Sequence, residues 1–424
     1  MSPWQDRPLK LAVAVWAALV VGVCLRPLLQ PGRSDFGLLW HDTGRAWLLD
    51  MSPYRTGNEF ESFRYSPLIA GLCVPLGLLP EQAAGVLWRL ISAAVLLGGL
   101  REWLRWAVPA AFDADQTGWL LLLLAPLSLG SLNNGQANTV LAGLLLLAVA
   151  AVAQRRWNRA ALWLALASWL KVYPLALALL LVALYPRRLA WRFAAAVALL
   201  GAAPFLVQAP GYVAGQYAVW FDILRTTDSH RRFLEVEKAY RDLLLLLRLW
   251  RIPITAAGFA ALQMAGGAAC GWLCLAGRRR GLSERRLLLR ALVVCVGWMM
   301  LLGPATESNT YMLLAPVAAW VAVWAHAQGP AAARYLAGQA VGLLLLCVLA
   351  CAVPAGRVLY HSAGLQPIAA LLLLGAFFLA ERAASEAGPR GREFRLWRED
   401  SPAAATGDGE MANLDRSRLL GRSS

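Results

Sequence analysis

Long apolar stretches, separated by short polar turns, make up most of the chain. The runs at 11–24, 118–131 and 341–353 either approach the length of a bilayer-spanning helix or extend to it. Two longer polar segments, at 31–65 and 209–253, interrupt this pattern. Continuous hydrophobicity on this scale predicts an all-α, polytopic membrane protein.

Basic residues between the apolar stretches predict how the chain is threaded. Cytoplasmic turns of membrane proteins are enriched in Lys and Arg. The clusters of basic residues lie at 101–105, 155–159, 187–192 and 278–286. Placing all of them inside gives a bundle of about 12 transmembrane helices with both termini in the cytoplasm. The stretch at 9–29 is then an uncleaved first span, and 31–65 and 209–253 become outer loops.

The apolar stretch at 67–79 is an exception to simple crossing. It lies between Pro67 and Pro80 and has only about 13 residues, too few to cross the bilayer. If it crossed, every later basic cluster would fall outside, whereas an interfacial or re-entrant segment leaves them inside. We therefore predict a re-entrant or juxtamembrane helix here.

A second exception is the stretch at 159–185, which has basic clusters at both ends and must begin and end inside. A straight helix cannot do this, so the stretch has to be interrupted. Lys171-Val-Tyr-Pro174 is the natural position, because proline lacks a backbone donor and disfavours helix in the residue before it. Lys171 is then at the apex of two short helices near the outer surface.

Composition agrees with this picture. The chain has 424 residues, is 59% hydrophobic and only 15% charged, and carries a net charge of +15. These values exclude an ordinary soluble enzyme. The positive charge is explained by cytoplasmic turns, so nucleic acid is not expected as a partner. We predict a single membrane domain over 1–384 and a disordered cytoplasmic tail over 385–424.

The polar residues that are candidates for a functional role lie on the predicted outer face. Each polar group there also has a simple structural explanation, such as helix capping or a solvated loop charge. Lys171 differs, because an ammonium within an apolar hairpin is costly and is usually paired or functional. The four histidines form no metal-binding array, and no metal or nucleotide cofactor is expected. The outer-face candidates are Asp35, Asp42, Arg64, Tyr65, Gln136, Asn138, Lys171 and Glu307.

Several short motifs follow one another along the chain. They are Asp-Phe at 35–36, Tyr54, Tyr-Ser-Pro-Leu at 65–68, Pro-Leu-Gly-Leu-Leu-Pro at 75–80, Gly-Gln-Ala-Asn at 135–138 and Lys-Val-Tyr-Pro at 171–174. Their order resembles that of glycosyltransferase family 87, a group of membrane mannosyltransferases of the GT-C type. The resemblance covers roughly residues 30–330 and implies a GT-C-like helical bundle. It also implies a polyprenyl-phosphate sugar as the donor.

The resemblance implies roles for individual residues. A first-loop aspartate acts as catalytic base in the family, which corresponds to Asp35, with Asp42 as the fallback. Independently of the resemblance, fixed cations would stabilise the charge on the leaving lipid phosphate, and the candidates are Arg64, Lys171, His230 and Arg231. Tyr65, Gln136, Asn138 and Glu307 would contact the sugar or the acceptor. Many relatives carry a Ser-Trp-x-His motif before a late helix, and this chain departs from it with the stretch 303–311.

The sequence therefore predicts an inverting hexosyltransferase, with mannose as the expected sugar. It would reside in the plasma (inner) membrane, with its active site facing outside and a glycolipid or glycan as acceptor. A twelve-helix secondary transporter is the main alternative, because transporters also place charges at broken helices. A non-catalytic protein of envelope assembly is the other alternative.

Overall fold

The computed structural model describes residues 7–54, 63–109, 112–231, 239–304, 306–353, 356 and 363–386. Within these ranges the secondary structure is helical and contains no β-strand. The predicted tail over 385–424 lies outside the described residues, apart from its first two positions. The α-helices are α1 (Arg7–Leu29), α2 (Asp42–Leu48), α3 (Pro67–Leu72), α4 (Val74–Gly77), α5 (Glu81–Trp106), α6 (Ala114–Asn134), α7 (Asn138–Ala153), α8 (Trp157–Leu170), α9 (Leu175–Leu184), α10 (Pro186–Ala202), α11 (Pro210–Arg231), α12 (Leu243–Leu249), α13 (Ala256–Arg279), α14 (Glu284–Leu301), α15 (Ala315–Gln328), α16 (Ala331–Ala352) and α17 (Leu365–Glu386).

Several helices have the length and composition needed to cross a membrane. Large apolar side chains on these helices face outward, such as Leu199 at 72% exposure and Met264 at 77%. Side chains of this kind require lipid around them, so the chain is an integral membrane protein. The total of about 12 spans stays a prediction. Among the described residues, the six candidate spans are Arg7–Leu29, Glu81–Trp106, Pro186–Leu206, Ala256–Arg279, Ala331–Cys351 and Leu365–Glu386.

The predicted interruption of the stretch 159–185 is confirmed. Helix α8 ends at Leu170 and α9 begins at Leu175, and Lys171 between them has an extended backbone with φ −148° and ψ 149°. The stretch 67–79 also breaks, into α3 and α4. These have six and four residues, so neither can cross a bilayer on its own.

Helices α5 and α7 pack together closely at the centre of the bundle. A Cβ atom on Gly99 would overlap the backbone of Gly143, and one on Gly143 would overlap that of Val95. Small residues at a helix crossing let the two backbones approach closely. Within lipid, where the hydrophobic effect does not act between helices, such close packing holds them together. The start of α7 is thereby fixed against α5, and this contact positions the turn that precedes α7.

The first outer segment, 31–65, is more ordered than a polar loop. A π-helical turn at Gly37–His41 leads directly into α2, and together they bury the indoles of Trp40 and Trp47 at 0% and 2% exposure. Helix α2 lies against α3 and α4. The segment is therefore part of the packed protein in its described portion.

The second outer segment, 209–253, was predicted to connect two spans on the outer side of the membrane, and this placement stays a prediction. It contains α11 and α12. The segment is mostly polar, but Val213, Gln216 and Trp220 are buried. They recur at spacings of three and four, which is the spacing of one face of a helix.

Helix α11 and the residue pair before it hold the first outer segment by hydrogen bonds. Three of these bonds end on backbone carbonyls of that segment, and the fourth joins two side chains. The bonds are Gln208 Nε2 to Trp47 O at 2.9 Å, Tyr212 Oη to Met51 O at 2.8 Å, Trp220 Nε1 to Arg64 O at 3.1 Å, and Ser52 Oγ to Gln216 Oε1 at 2.9 Å. The described parts of the two outer segments therefore form one structural unit.

Candidate active site

A cavity of about 670 Å³ lies where the first outer segment, the α6–α7 turn and the α8–α9 break meet. The backbone near Pro304 and one face of α11 complete its wall. The structure therefore brings together segments that are more than 250 residues apart in sequence. The charged side chains that line the cavity are Arg26, Arg33, Asp35, Arg64, Lys171 and Glu307.

The Asp-Phe pair at 35–36 is held by the α6–α7 turn. Phe36 is buried at 1% exposure and packs against Gly135, where a Cβ atom would come within 3.0 Å of the Phe36 Cβ. The neighbouring residues then meet in the same register, since Gln136 Nε2 donates to Asp35 Oδ2 at 2.8 Å. Burying Phe36 thus orients Asp35 toward the cavity.

The α6–α7 turn has a defined geometry that depends on glycine. Gly135 has φ +68°, and the N–H groups of Gly135 and Gln136 bond to the carbonyls of Leu132 and Ser131. This pattern is a Schellman motif, which favours glycine because the left-handed conformation costs it no Cβ clash. The Gly135 carbonyl also accepts from two indoles, Trp40 Nε1 at 2.7 Å and Trp88 Nε1 at 2.8 Å.

A buried arginine gives the turn a further anchor. Arg89 on α5 is fully buried and donates to the carbonyl of Asn133 at 2.7 Å and to that of Gly85 at 3.0 Å. A buried guanidinium needs hydrogen-bond acceptors, and the end of α6 provides one because its last carbonyls have no partner within the helix. The turn is therefore held from both sides before any ligand binds.

Four side chains form a continuous hydrogen-bonded series, which we call the polar network. Lys171 Nζ donates to Asn138 Oδ1 at 2.8 Å, and Asn138 Nδ2 donates to Gln136 Oε1 at 3.0 Å. Gln136 Nε2 then donates to Asp35, as described above. Two amides in series join a cation to a carboxylate, and each amide presents its donor to one side and its acceptor to the other. The orientation of Asp35 is thereby coupled to the position of Lys171.

The described lining of the cavity is electropositive. Its four cations against two carboxylates leave an excess of two positive charges. Fixed cations in a partly enclosed space stabilise a bound anion more strongly than they would in water. Phosphate is the anion that best matches arginine, because its oxygens accept the parallel N–H groups of a guanidinium.

Tyr65 adds a hydrogen-bonding group to the wall. Burial raises the pKa of its phenol above the ordinary value, and the carboxylates of Glu307 and Asp35 raise it further. The phenol therefore stays protonated at neutral pH and can donate a hydrogen bond. Its ring packs on Trp40 with the centroids 4.8 Å apart, so the side chain is well positioned.

The other predicted site residues lie in different surroundings. Glu307 lines the cavity but is solvent-exposed, and its side chain caps the helical turn Ser308–Leu313. Asp42 is outside the cavity wall, beside His41, with Oδ1 3.4 Å from Nδ1 of that ring. The side chains of His230 and Arg231 lie outside the described residues.

Sequence reasoning missed Arg26 and Arg33. Arg26 is near the end of α1 and donates to the Arg33 carbonyl at 2.7 Å. The predicted membrane topology could have singled out both residues. It places them at the outer end of the first span, where basic residues are disfavoured. A cation that opposes the charge bias is a better candidate for a functional role than one that follows it.

The arrangement can perform two chemical tasks. The Asp35 carboxylate faces a cavity large enough for a sugar and can accept a proton from a hydroxyl. The cations around it can bind a phosphate and stabilise the negative charge that develops on it as it leaves. Both tasks are those of a base-assisted transfer from a phosphorylated donor.

Comparison with known proteins identifies a family. The family model of glycosyltransferase family 87 matches residues 63–304, more than half of the 424 residues. The match includes Arg64, Gln136 and Lys171 and begins after Asp35, so the role of Asp35 as base stays a prediction.

One solved structure is also similar to the chain. It is the crystal structure of ArnT from Cupriavidus metallidurans bound to undecaprenyl phosphate. The identity is 15%, over 88% of this chain and 80% of that one, with a TM-score of 0.31.

Proposed function

Because the chain belongs to glycosyltransferase family 87, we propose that it transfers a hexose from a polyprenyl-phosphate carrier to a lipid or glycan acceptor. Mannose is the specific sugar of this proposal. Family membership favours transfer over the transporter and the envelope scaffold. The observation that carries the proposal is the electropositive cavity in which a hydrogen-bonded carboxylate, Asp35, faces several cations.

The proposed reaction is a single displacement. Asp35 accepts the proton of a hydroxyl group on the acceptor. At the same time, the oxygen of that hydroxyl attacks the anomeric carbon of the donor. The bond between that carbon and the phosphate oxygen breaks, and the polyprenyl phosphate leaves with the electron pair. Attack from the side opposite the phosphate inverts the anomeric carbon. Arg64 and Lys171 are the cations that we assign to the leaving phosphate, with Arg26 and Arg33 beside them.

The amides take a different role from the one that the resemblance implies. Gln136 and Asn138 are engaged in the polar network, which supports a role in positioning Asp35. Tyr65 and Glu307 remain the groups that we assign to the sugar or the acceptor. His230 and Arg231 stay predicted phosphate contacts on sequence grounds. A lipid-carried sugar needs no nucleotide site, and we propose a reaction without a metal cofactor.

The test is transfer from a defined donor. Membranes containing the full chain are incubated with radiolabelled polyprenyl-phosphate-mannose in excess EDTA, and labelled lipid and glycan products are separated. We expect label in product, and none in membranes that lack the protein. Polyprenyl-phosphate-glucose and a nucleotide sugar serve as competing donors. Preference for the glucose donor would contradict the choice of mannose, and transfer from the nucleotide sugar alone would contradict the lipid donor.

The orientation of the active site is part of the proposal and can be measured separately. Leu49 is 65% exposed in the first outer segment, and Arg280 is exposed just after α13. In a background in which the seven cysteines are replaced, we expect an impermeant maleimide to label Leu49→Cys in intact cells. Arg280→Cys should be labelled only after permeabilisation, because the threading places it in the cytoplasm. The reverse pattern would show that the active site faces inside.

A further inference from the structure

A second cavity, of about 490 Å³, lies at the far end of α5 from the active site. Near the other end of α5, Trp88 contacts the α6–α7 turn, and Leu97 to Arg105 line the second cavity. At 1.5 Å per residue, about 20 Å of helix separates Trp88 from Arg101. Helix α6 runs between the same two ends, since its first turn contributes Thr117 to this cavity and its last residues form the turn at the active site. The second cavity is therefore at the opposite face of the membrane.

The wall of this cavity combines apolar and basic side chains. Arg101 and Arg105 of α5 line it among apolar groups, which continue past Arg105 toward the start of α6. A membrane lipid has the same combination, with apolar chains and a charged headgroup. The apolar residues of the lining are Leu97, Leu100, Leu104, Val108, Phe112 and Leu121.

Three arginines contribute to the lining of the cavity. Arg101 and Arg105 lie four residues apart on α5, and Arg285 comes from the first turn of α14. The described residues that line the cavity include no carboxylate. Like charges four residues apart on a helix repel one another. An anion placed between them relieves this repulsion.

The general excess of arginine in cytoplasmic turns explains only part of this cluster. Arg101 and Arg105 are near the C-terminus of α5, where the helix dipole favours cations. Arg285 is near the N-terminus of α14, where the dipole disfavours them. Arg285 nevertheless lines the same cavity as Arg101 and Arg105, and the charge bias of cytoplasmic turns does not explain this.

From this geometry we propose that the second cavity binds an anionic membrane phospholipid, independently of the transfer reaction. Arg101, Arg105 and Arg285 hold its phosphate, and the leucines of α5 and α6 contact an acyl chain. Guanidinium groups match phosphate oxygens through paired N–H donors. Basic pockets between helices at the cytoplasmic face are suited to such headgroups, and the threading predicts this face to be cytoplasmic.

The test measures lipid binding to the purified full chain. The chain in neutral detergent is titrated with dioleoylphosphatidylglycerol and with dioleoylphosphatidylcholine, and bound lipid is counted by native mass spectrometry. We expect one phosphatidylglycerol to bind about tenfold more tightly than phosphatidylcholine, the difference expected for a charged hydrogen bond. Arg101→Gln/Arg105→Gln/Arg285→Gln should lose this preference. The matched control Arg187→Gln/Arg279→Gln/Arg280→Gln removes the same charge at exposed positions and should keep it.

A second variant tests the cavity without changing its charge. Leu97→Trp fills the apolar part and should displace the lipid while all three arginines remain. Equal binding of both lipids by the wild-type chain would overturn the proposal, as would loss of the preference in the control triple variant. Two competing ligands distinguish an anionic phospholipid from other occupants of the cavity. Displacement by millimolar inorganic phosphate would indicate an anion site only, and tighter binding of undecaprenyl phosphate would assign the cavity to the carrier lipid.

Discussion

Replacing Asp35 by asparagine is expected to reduce glycosyl transfer by about 10²- to 10⁴-fold, the usual contribution of a general base. The amide has almost the same shape and keeps a carbonyl oxygen that can accept from Gln136 Nε2, so the hydrogen bond at 2.8 Å has an equivalent in the variant. What is lost is the ability to take the acceptor proton. The measurement is the initial rate of transfer in membranes with equal amounts of the two proteins.

Asp42 provides a matched control for this prediction. It lies in the same outer segment, seven residues further on, but outside the cavity wall. Asp42→Asn should therefore keep a rate close to that of the wild type. If Asp42→Asn loses transfer and Asp35→Asn retains it, the base is Asp42 and the cavity has been assigned to the wrong carboxylate.

Lys171→Met is expected to lower kcat by about 10²-fold, the loss typical when one group that stabilises developing negative charge is removed. Lys171 lines the cavity, and its ammonium is held by Asn138 at 2.8 Å and lies 5.6 Å from the centroid of the Tyr173 ring. Methionine has a similar length and no charge. The measurement is the rate of transfer at saturating donor.

Two comparisons separate the charge of Lys171 from its structural contacts. Asn138→Leu breaks the polar network but keeps the positive charge of Lys171 in the cavity, so its effect on kcat should be the smaller one. Lys10→Met changes an exposed lysine on α1 and should have no effect. A wild-type kcat in Lys171→Met would remove this residue from the catalytic machinery. A loss in Asn138→Leu equal to that in Lys171→Met would assign Lys171 a positioning role alone.

Much of the helical architecture could be predicted from the sequence, because lipid imposes a simple rule on it. A span needs a long apolar run, and Pro174 together with the basic clusters at both ends of its run indicated the break between α8 and α9. Hydropathy says less about segments outside the bilayer. Helix α11 was missed because, among its described side chains, three buried positions at 213, 216 and 220 give it a helical face.

The candidate site divides in a similar way. The motifs indicated Asp35, Arg64 and Lys171, and the structure brings them to one cavity. The polar network could not be predicted, because its hydrogen bonds depend on how the side-chain amides of Gln136 and Asn138 are oriented. That orientation is set by residues from three separate segments of the chain. Arg26 was overlooked for a different reason, because an arginine at a helix end is ordinarily explained by the membrane interface.

The way in which α11 holds the first outer segment bears on which substitutions that segment tolerates. Three of the four hydrogen bonds end on main-chain carbonyls, at Trp47, Met51 and Arg64. Every amino acid supplies such a carbonyl, so these three contacts do not depend on the side chains of the segment. Exposed positions such as Leu49 and Met51 can therefore be changed without removing them. The outer surface of the segment can vary in sequence while its backbone stays attached.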